Sequence, residues 1–359
     1  MMMTDAEKKA ATEVILGVDT HLDVHVAVAL DHLGRRLGEL SVPTTAKGYE
    51  KLVRWAEGFG TLRCAGVEGT STYGAAITRY LRTAEIAVKE VERPKRRHLH
   101  RSSKSDSRDA ESAARAVLAG ETAGEPKSAD GRVEMIRALR TARRSALKSR
   151  TQAANQLQGL RVTAPEELRH RLRRLSTKEL VAVAARFRLR DAPCNVLAAT
   201  KFALRSVARR YEALSAEIDE LDAQLHRLVR QVAPELVSLA GIGTDHAATL
   251  LTVAGDNPQR LRSEASFASL CGVSPVEASS GKVVHHRLNR GGNRDANRAL
   301  YMVYLARMRR DPRTREYVAR RTAEGKSKRE IIRCLKRYVA REVYSVLISC
   351  VACSSPIRP

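Results

Sequence analysis

The apolar pattern of the chain changes period several times, and each change marks an element. Near the start, Val14-Ile15-Leu16-Gly17-Val18 is an unbroken apolar run that ends on Asp19. A polar turn follows, and then Val24, Val26 and Val28 fall at every second position. A short apolar run bounded by turn residues is the pattern of a buried strand, and alternation that of a half-buried one. Strands are therefore expected over 13–19, 23–30 and roughly 35–42, joined by short turns around His21 and Gly34 as an antiparallel meander. Within Gly48 to Glu57, Tyr49, Leu52, Val53 and Ala56 share one helical face. Thr61 to Glu68 returns as a strand, Tyr73 to Leu81 as a helix and Ile86 to Val91 as a strand. The basic loop Arg93 to Lys104 leads into the alanine-rich helix Asp106 to Leu118. This order is a mixed α/β plan.

Gly120 to Asp130 is loop-like, and beyond it the pattern is helical. The stretch to about Leu160 is rich in arginine, with Arg137, Arg140, Arg143, Arg144 and Arg150. Shorter helices fill 162–200, one opened by the capping box Ser176-Thr177-Lys178-Glu179. Leu204, Val207, Tyr211, Leu214, Ile218, Leu221, Leu225, Leu228 and Val232 then alternate spacings of three and four, an a/d seam that predicts a coiled coil. Its partner is the 133–160 helix, a second subunit, or both. From Pro234, Leu239 to Leu251 reads as a helix-hairpin-helix around Gly241-Ile242-Gly243. There, backbone N–H groups at a helix N-terminus could approach a phosphate, although any tight turn between helices can use the same glycines. Leu300 to Met308 is helical, and Arg309 to Arg341 is a basic helical tail. Three regions result: 13–125, 131–233 and 234–345.

Charge narrows the function. Among 359 residues, 64 Lys+Arg stand against 40 Asp+Glu, a formal net charge of +24. That excess points to a polyanionic partner, and nucleic acid is the first candidate. Aromatics are only 4%, so phosphate contacts should outweigh base stacking. No apolar run is long enough to span a bilayer and no signal peptide opens the chain, which predicts a cytoplasmic protein with no membrane partner. The six cysteines are scattered. Only Cys350 and Cys353 are close, and no second pair completes a zinc site, so reduced thiols are expected.

Asp19 alone is better read as a turn aspartate. Three further carboxylates change that. Glu68 ends the strand after the meander, and Asp106 and Asp109 lie three apart at the start of a helix, on one face. Helix-start acids are also favoured by the dipole alone. Together, however, two strand-end acids and a helical pair are the set that a ribonuclease-H-like fold converges on two divalent ions. Hard oxygen ligands suit Mg²⁺, and two such ions can serve both the attacking and the leaving oxygen of a phosphodiester.

Gly17-Val18-Asp19, Val67-Glu68 and Lys104-Ser105-Asp106-Ser107-Arg108-Asp109-Ala110 resemble the amino-terminal domain of the DEDD transposases of insertion sequences. This family includes Piv-type DNA invertases and bridge-RNA-guided recombinases. Pro275 to Asn293, with Ser279-Ser280-Gly281 and Arg290-Gly291-Gly292-Asn293, is similar to the family's carboxy-terminal transposase domain. The resemblance implies an α/β plus all-α chain: a RuvC-like (RNase H-like) catalytic domain, a helical coiled-coil region and a helical transposase domain. It implies a recombinase that cuts and rejoins double-stranded donor and target DNA, guided by a non-coding bridge RNA and nucleoid-associated when acting. It assigns the metal ligands to Asp19, Glu68, Asp106 and Asp109 and a serine nucleophile to Ser279, although Ser280 follows at once. It also favours a second subunit along the leucine seam, in a dimer or tetramer. Lys282 stands where some relatives have a glycine. A serine hydroxyl is a weak nucleophile without an activator. His285 and His286 form no triad with a nearby Asp and serve equally as surface residues or phosphate contacts, so activation by metal is the simpler account. The expected nucleic-acid contacts are Arg96, Arg97, Lys104, Arg143, Arg144, Gly241, Gly243, Lys282, Arg287 and Arg290. The rival readings are a metal-dependent, structure-specific (Holliday-junction-type) endonuclease, which has no need of Ser279, and a non-catalytic DNA-bridging protein.

Overall fold

The computed structural model describes residues 12–91, 105–122, 124–188, 193–279, 286–287 and 289–352. They form two compact units. One runs up to Gly131 and includes Ala254–Phe267, and the other comprises Arg132–Val253 and the residues from Ala268 onward.

The first unit is built on a five-stranded sheet. Its strands are β1 (Glu13–Thr20), β2 (Val24–Asp31), β3 (Arg36–Pro43), β4 (Thr61–Glu68) and β5 (Ala87–Val91), in the order β3-β2-β1-β4-β5. The β1–β2–β3 meander is antiparallel, whereas β4 joins β1, and β5 joins β4, in parallel. Three helices accompany the sheet: α1 (Ala46–Glu57), α2 (Ala75–Thr83) and α3 (Asp106–Leu118). Strand alternation divides the core in two. Val14, Leu16, Val18, Ala65 and Val67 gather with Leu52 and Ala56 of α1 and Ile77 and Leu81 of α2. Ile15, Val28 and Leu30 point the other way, toward Ala110 and Ala114 of α3.

That second face is unusually thin, and glycine is the reason. Gly17 and Gly66 are register partners on β1 and β4. A Cβ at Gly17 would lie 2.0 Å from the carbonyl oxygen of Ala110 and 2.4 Å from the nitrogen of Ala114, and one at Gly66 would lie 2.7 Å from the carbonyl oxygen of Ala113. The buried side of α3 is itself made of alanines, Ala110, Ala113 and Ala114. Helix backbone therefore rests almost directly on sheet backbone. Ser105 caps the helix by accepting from the N–H of Arg108, and Ser107 donates to Glu39 Oε2 at 2.7 Å, tying the start of α3 to β3.

The turn at the other end of the meander is held by a different acid. Asp31 is buried and accepts from the backbone N–H groups of Leu33 and Arg35 and from the Arg35 guanidinium. Burial alone would raise its carboxyl, but the Arg35 backbone N–H, the Arg35 guanidinium and the Leu33 N–H outweigh it and hold the carboxyl below its ordinary range. Elsewhere in this unit, buried Asn257 accepts from the N–H of Ser128 and donates to the carbonyl of Pro126.

The second unit is helical. Its longest members are α4 (Arg132–Val162) and α7 (Val196–Val232), separated by α5 (Glu166–Leu172) and α6 (Thr177–Ala185), with the expected capping box at Ser176 and Glu179. The leucine seam finds its partner within the chain. α7 packs along α4, and the pair is antiparallel, since Arg210 bonds Gln156 at one end and Asp222 bonds Arg143 at the other. The residues of α7 that are fully covered are Leu204, Ala208, Ile218, Leu225 and Val229, so Ala208 and Val229 replace Val207 and Leu228 of the expected heptad. A straight helix turns every 3.6 residues, and its buried stripe drifts away from a strict seven-residue repeat. Then follow α8 (Pro234–Ser238), α9 (Thr244–Ala254), α10 (Glu264–Leu270), whose first four residues count with the first unit, a two-residue ladder of β6 (Val276–Glu277) and β7 (His286–Arg287), α11 (Arg294–Arg310), α12 (Pro312–Ala323) and α13 (Lys328–Ala352). The helix expected at Leu300 starts earlier, because Asn293 caps it through the N–H groups of Asp295 and Ala296. No helix among the described residues is long and apolar enough to cross a membrane.

Two outcomes are expected. Gly17→Ala forces a methyl into helix backbone and should cost about 3 kcal/mol, read as a lower denaturant midpoint. Asp31→Asn should cost roughly 1–3 kcal/mol at neutral pH. Because the folded carboxyl is depressed, its contribution is present above the unfolded value near 4 and is lost as pH falls through the folded one. The gap in melting temperature between wild type and Asp31→Asn should therefore close in acid, and a gap that stays constant would refute this role for the turn.

Candidate functional site

β1 and β4 end side by side. Val18 pairs with Val67, which places Asp19 beside Glu68 one residue further on, and the Thr20 hydroxyl donates to the Glu68 carbonyl at 3.0 Å. Asp19 and Glu68 share strand parity with Gly17 and Gly66, so both lie on the face that α3 covers. They are only 3% and 4% exposed. The first turn of α3 carries Asp106 and Asp109 on this face of the sheet. The close approach allowed by the two glycines thus brings the start of α3 over the strand ends.

Asp19 and Asp106 come together around a residue that the sequence reading passed over as part of a turn. His21 Nε2 lies 3.0 Å from Asp19 Oδ2 and 3.5 Å from Asp106 Oδ1. One ligand atom from each of Asp19, His21 and Asp106 falls within 4.8 Å of the others. The missed signal was periodicity: two residues past Asp19, the chain returns to the same side. Behind His21 stands buried His25, whose Nδ1 accepts from the His21 N–H at 3.3 Å and whose ring stacks on Tyr49. Burial, helped by the neighbouring His21, holds His25 below its usual range against the pull of Asp19, so it supports the turn as a neutral ring.

The donor set suits a divalent cation. Two carboxylates meet at the cluster, Glu68 lies on the strand adjacent to Asp19, and Asp109 is one helical turn along from Asp106. Oxygen donors of this kind favour Mg²⁺, and an imidazole among them is also compatible with softer divalent ions such as Mn²⁺. Asp31 is the contrast within the same sheet, its carboxylate satisfied by its own turn, whereas Asp19 faces another acid.

The remaining expected residues lie elsewhere. Ser279 is exposed and follows β6. Ser280, Lys282, Arg96, Arg97 and Lys104 lie outside the described residues. Arg287 is exposed on β7, and Arg290 is exposed before a tight glycine turn. That turn has a structural explanation: Gly292, at φ +83°, would place a Cβ 2.5 Å from the nitrogen of Gly272. Gly241, at φ +78°, makes the sharp turn between α8 and α9, where Arg307 Nε donates to the carbonyl of Ala240, and a Cβ at Gly243 would meet open space. Arg143 and Arg144 differ in fate. Arg143 is 20% exposed and bonds Asp222 and Asp245, bracing α4 to α7 and α9, while Arg144 reaches Asp295 and stays 72% exposed.

Comparison with known proteins gives a consistent result. Residues 16–163 match the DEDD transposase family of IS110-type elements, and residues 233–319 match the Transposase IS116/IS110/IS902 family. The chain is 32% identical over 145 residues to the insertion element IS110 uncharacterized 43.6 kDa protein of Streptomyces coelicolor, covering 40% of this chain and 36% of that protein. It is 29% identical over 158 residues to the insertion element IS900 uncharacterized 42 kDa protein of Mycobacterium paratuberculosis, covering 43% and 39%. It is also 29% identical over 143 residues to the pilin gene-inverting protein of Moraxella lacunata, covering 37% and 44%. The match thus spans less than half the length of each of these relatives.

The cluster predicts a metal response that can be measured without any reaction. Mg²⁺ or Mn²⁺ should raise the melting temperature of the wild type and leave that of Asp19→Asn unchanged. Without metal the variant should melt at or above the wild type, because it relieves a crowd of acids. An equal metal shift in both proteins would rule the cluster out.

Proposed function

The chain belongs to the DEDD transposases of insertion sequences, and from that premise we propose that it cleaves and rejoins DNA as a site-specific recombinase of a mobile element. The observation that carries this reading is the meeting of Asp19 and Asp106, far apart in the chain, at the ends of a buried strand and a capped helix. The proposal extends to a ribonuclease-H-like (RuvC-like) architecture for the first unit. Three antiparallel strands followed by two parallel ones, with acids at the ends of β1 and β4 and on the helix after β5, support it. On this reading Asp19, Glu68, Asp106 and Asp109 hold divalent metal, Mg²⁺ by preference and two ions by analogy with that architecture. A divalent ion there would neutralise charge on the scissile phosphate and favour the deprotonated attacking oxygen.

Ser279 is the proposed nucleophile. Its Oγ forms a bond to phosphorus as the bond to the bridging oxygen breaks. The hydroxyl proton passes to a base or water, and the leaving oxygen takes one up, so the broken strand stays covalently attached. The chain's own contribution is to present that hydroxyl, hold the acids in place and bind phosphate. Arg144, Arg287 and Arg290 offer exposed charge for the last role, whereas Arg143 is largely engaged with two aspartates. The Gly241–Gly243 turn, with α9 behind it, is proposed as a helix-hairpin-helix contact to the DNA backbone. A guide RNA and a dimeric or tetrameric assembly rest on the family resemblance, as does action on the nucleoid in the cytoplasm. The second unit's elongated α4–α7 pair is suited to join subunits, and the site would then be composite, with acids from one subunit and Ser279 from another.

The structure-specific endonuclease remains the alternative that uses the same acids without the serine. A covalent protein–DNA adduct decides between them. Wild type should form it with divalent metal, while Asp19→Ala and Ser279→Ala should each lose it by at least about a hundredfold. Mixing the two variants should restore part of it if the site is composite. Cleavage without any adduct, unaffected by Ser279→Ala, would favour the endonuclease.

A further inference from the structure

The second unit contains a cavity of about 300 Å³ lined by β7 and by Gly272–Pro275, the residues that lead into β6. Its walls come from Gly272–Pro275, from Arg287 on β7 and from the end of α12 and the start of α13, including Lys326, Arg333 and Lys336. Lys336 is the informative member. It is only 7% exposed, and its ammonium donates to Asn297 Oδ1 at 2.8 Å. Asn297 is fixed in turn, because its amide nitrogen donates to the carbonyls of Cys271 and Gly272 at 3.0 Å each. The charge is thus held in place by a neutral amide. Buried charges in folded proteins are generally paired, because desolvation is costly.

Among the described residues, the walls do not supply the missing negative charge. Glu330 is the carboxylate lining the cavity among the described residues, and it is engaged by the N–H and hydroxyl of Ser327 at the start of α13. Arg321 also lines the space and pairs with Glu324. Arg287, Lys326, Arg333 and Lys336 therefore converge with little internal compensation. Burial and the nearby Arg333 also hold the Lys336 ammonium below its usual range, in keeping with a site short of negative charge. The location adds the rest. Ser279 lies four residues beyond Pro275, which lines the cavity, so at most about 14 Å of extended chain separates the two.

We propose that this cavity is a phosphate-binding subsite that grips the backbone of the DNA strand presented to Ser279. The proposal rests on the recombinase reading for the identity of the strand, and on Lys336, Asn297 and the basic walls for the chemistry. Lys336 and Arg333 would engage one phosphate from the floor, while Arg287 and Lys326 close over it from the exposed rim.

The test is the salt dependence of binding to a random-sequence DNA duplex, measured by fluorescence anisotropy on the full chain. Each lost phosphate contact lowers the slope of log affinity against log salt by about one, so Arg333→Gln with Lys336→Gln should flatten it by roughly two. Arg287→Gln with Lys326→Gln, on the exposed rim and indifferent to folding, should flatten it similarly. Ser279→Ala should keep the wild-type slope. A wild-type slope in the rim variant, or in a floor variant with intact circular dichroism, would overturn the proposal, as would a change confined to single-stranded RNA. If the cavity variants flatten the slope but wild type forms no adduct, the phosphate subsite stands and the serine reading falls.

Discussion

The absence of side chains at two paired positions sets the geometry of the first unit. Gly17 and Gly66 leave a bare patch at the centre of the sheet, and α3 lies on it through Ala110, Ala113 and Ala114. With larger residues on either surface, helix and sheet would stand at an ordinary packing distance, and the start of α3 would be lifted off the strand ends. The acids depend on this. Asp106 has no tie to Asp19 along the chain, and what brings them together is the closeness of backbone to backbone behind them. Small residues bury little area, so this contact is weak as a source of hydrophobic stability. Its value is positional, and the larger apolar cluster on the opposite face supplies the burial.

The sheet also shows how the same residue type is used in two ways. Asp31 and Asp19 are both buried strand-end aspartates, on adjacent antiparallel strands. The first is surrounded by donors from its own turn and behaves as a structural group. The second is placed against a further acid, with His21 the compensating group close by among the described residues. Desolvating one carboxylate beside another is unfavourable unless a cation is shared between them. A folded chain tolerates that arrangement when something else depends on it. This difference in partners, rather than burial, separates the candidate site from an ordinary turn.

Much of this was legible in the sequence, because strands and amphipathic helices announce themselves by period. The five strands, the helix starting at Asp106 and the capping box at Ser176 all follow local rules. What did not follow is equally specific. The leucine seam of α7 reports an apolar stripe but carries no label for its partner, and α4 covers it within the chain. A run of arginines does not say how far each is spent internally: Arg143 meets both Asp222 and Asp245 and is largely covered, while Arg144 beside it meets Asp295 and stays mostly exposed. His21 was hidden because the period that returns it to the side of Asp19 marks any residue at that place in a turn and says nothing of a histidine. Lys336 was hidden because a basic helix gives no sign of which lysine faces inward. The Arg-Gly-Gly-Asn motif carried the resemblance, yet its fold-level meaning, a positive-φ turn against Gly272 and a cap for α11, needed the tertiary contact.

The two proposed halves of the chemistry are held with very different firmness. The acids sit at the ends of central strands, fixed by ladders on both sides and by a helix at van der Waals distance. Ser279 follows a ladder of two residues on each strand, which by itself supplies few hydrogen bonds. What steadies that ladder lies beneath it: the Gly272–Gly292 contact and Asn297, to which Lys336 is bonded. A metal site profits from rigidity, because its ligands must be ready before the ion arrives. A nucleophile that must meet a phosphodiester in line profits from being positioned by the strand it attacks. If the basic cavity grips that strand, occupancy of the cavity and alignment of the serine become one event, because both depend on the same floor. The positive charge of the chain would then contribute more than general attraction to DNA. It would be concentrated where binding a phosphate also orders the hydroxyl, so that DNA without the correct backbone path would be bound but left uncut.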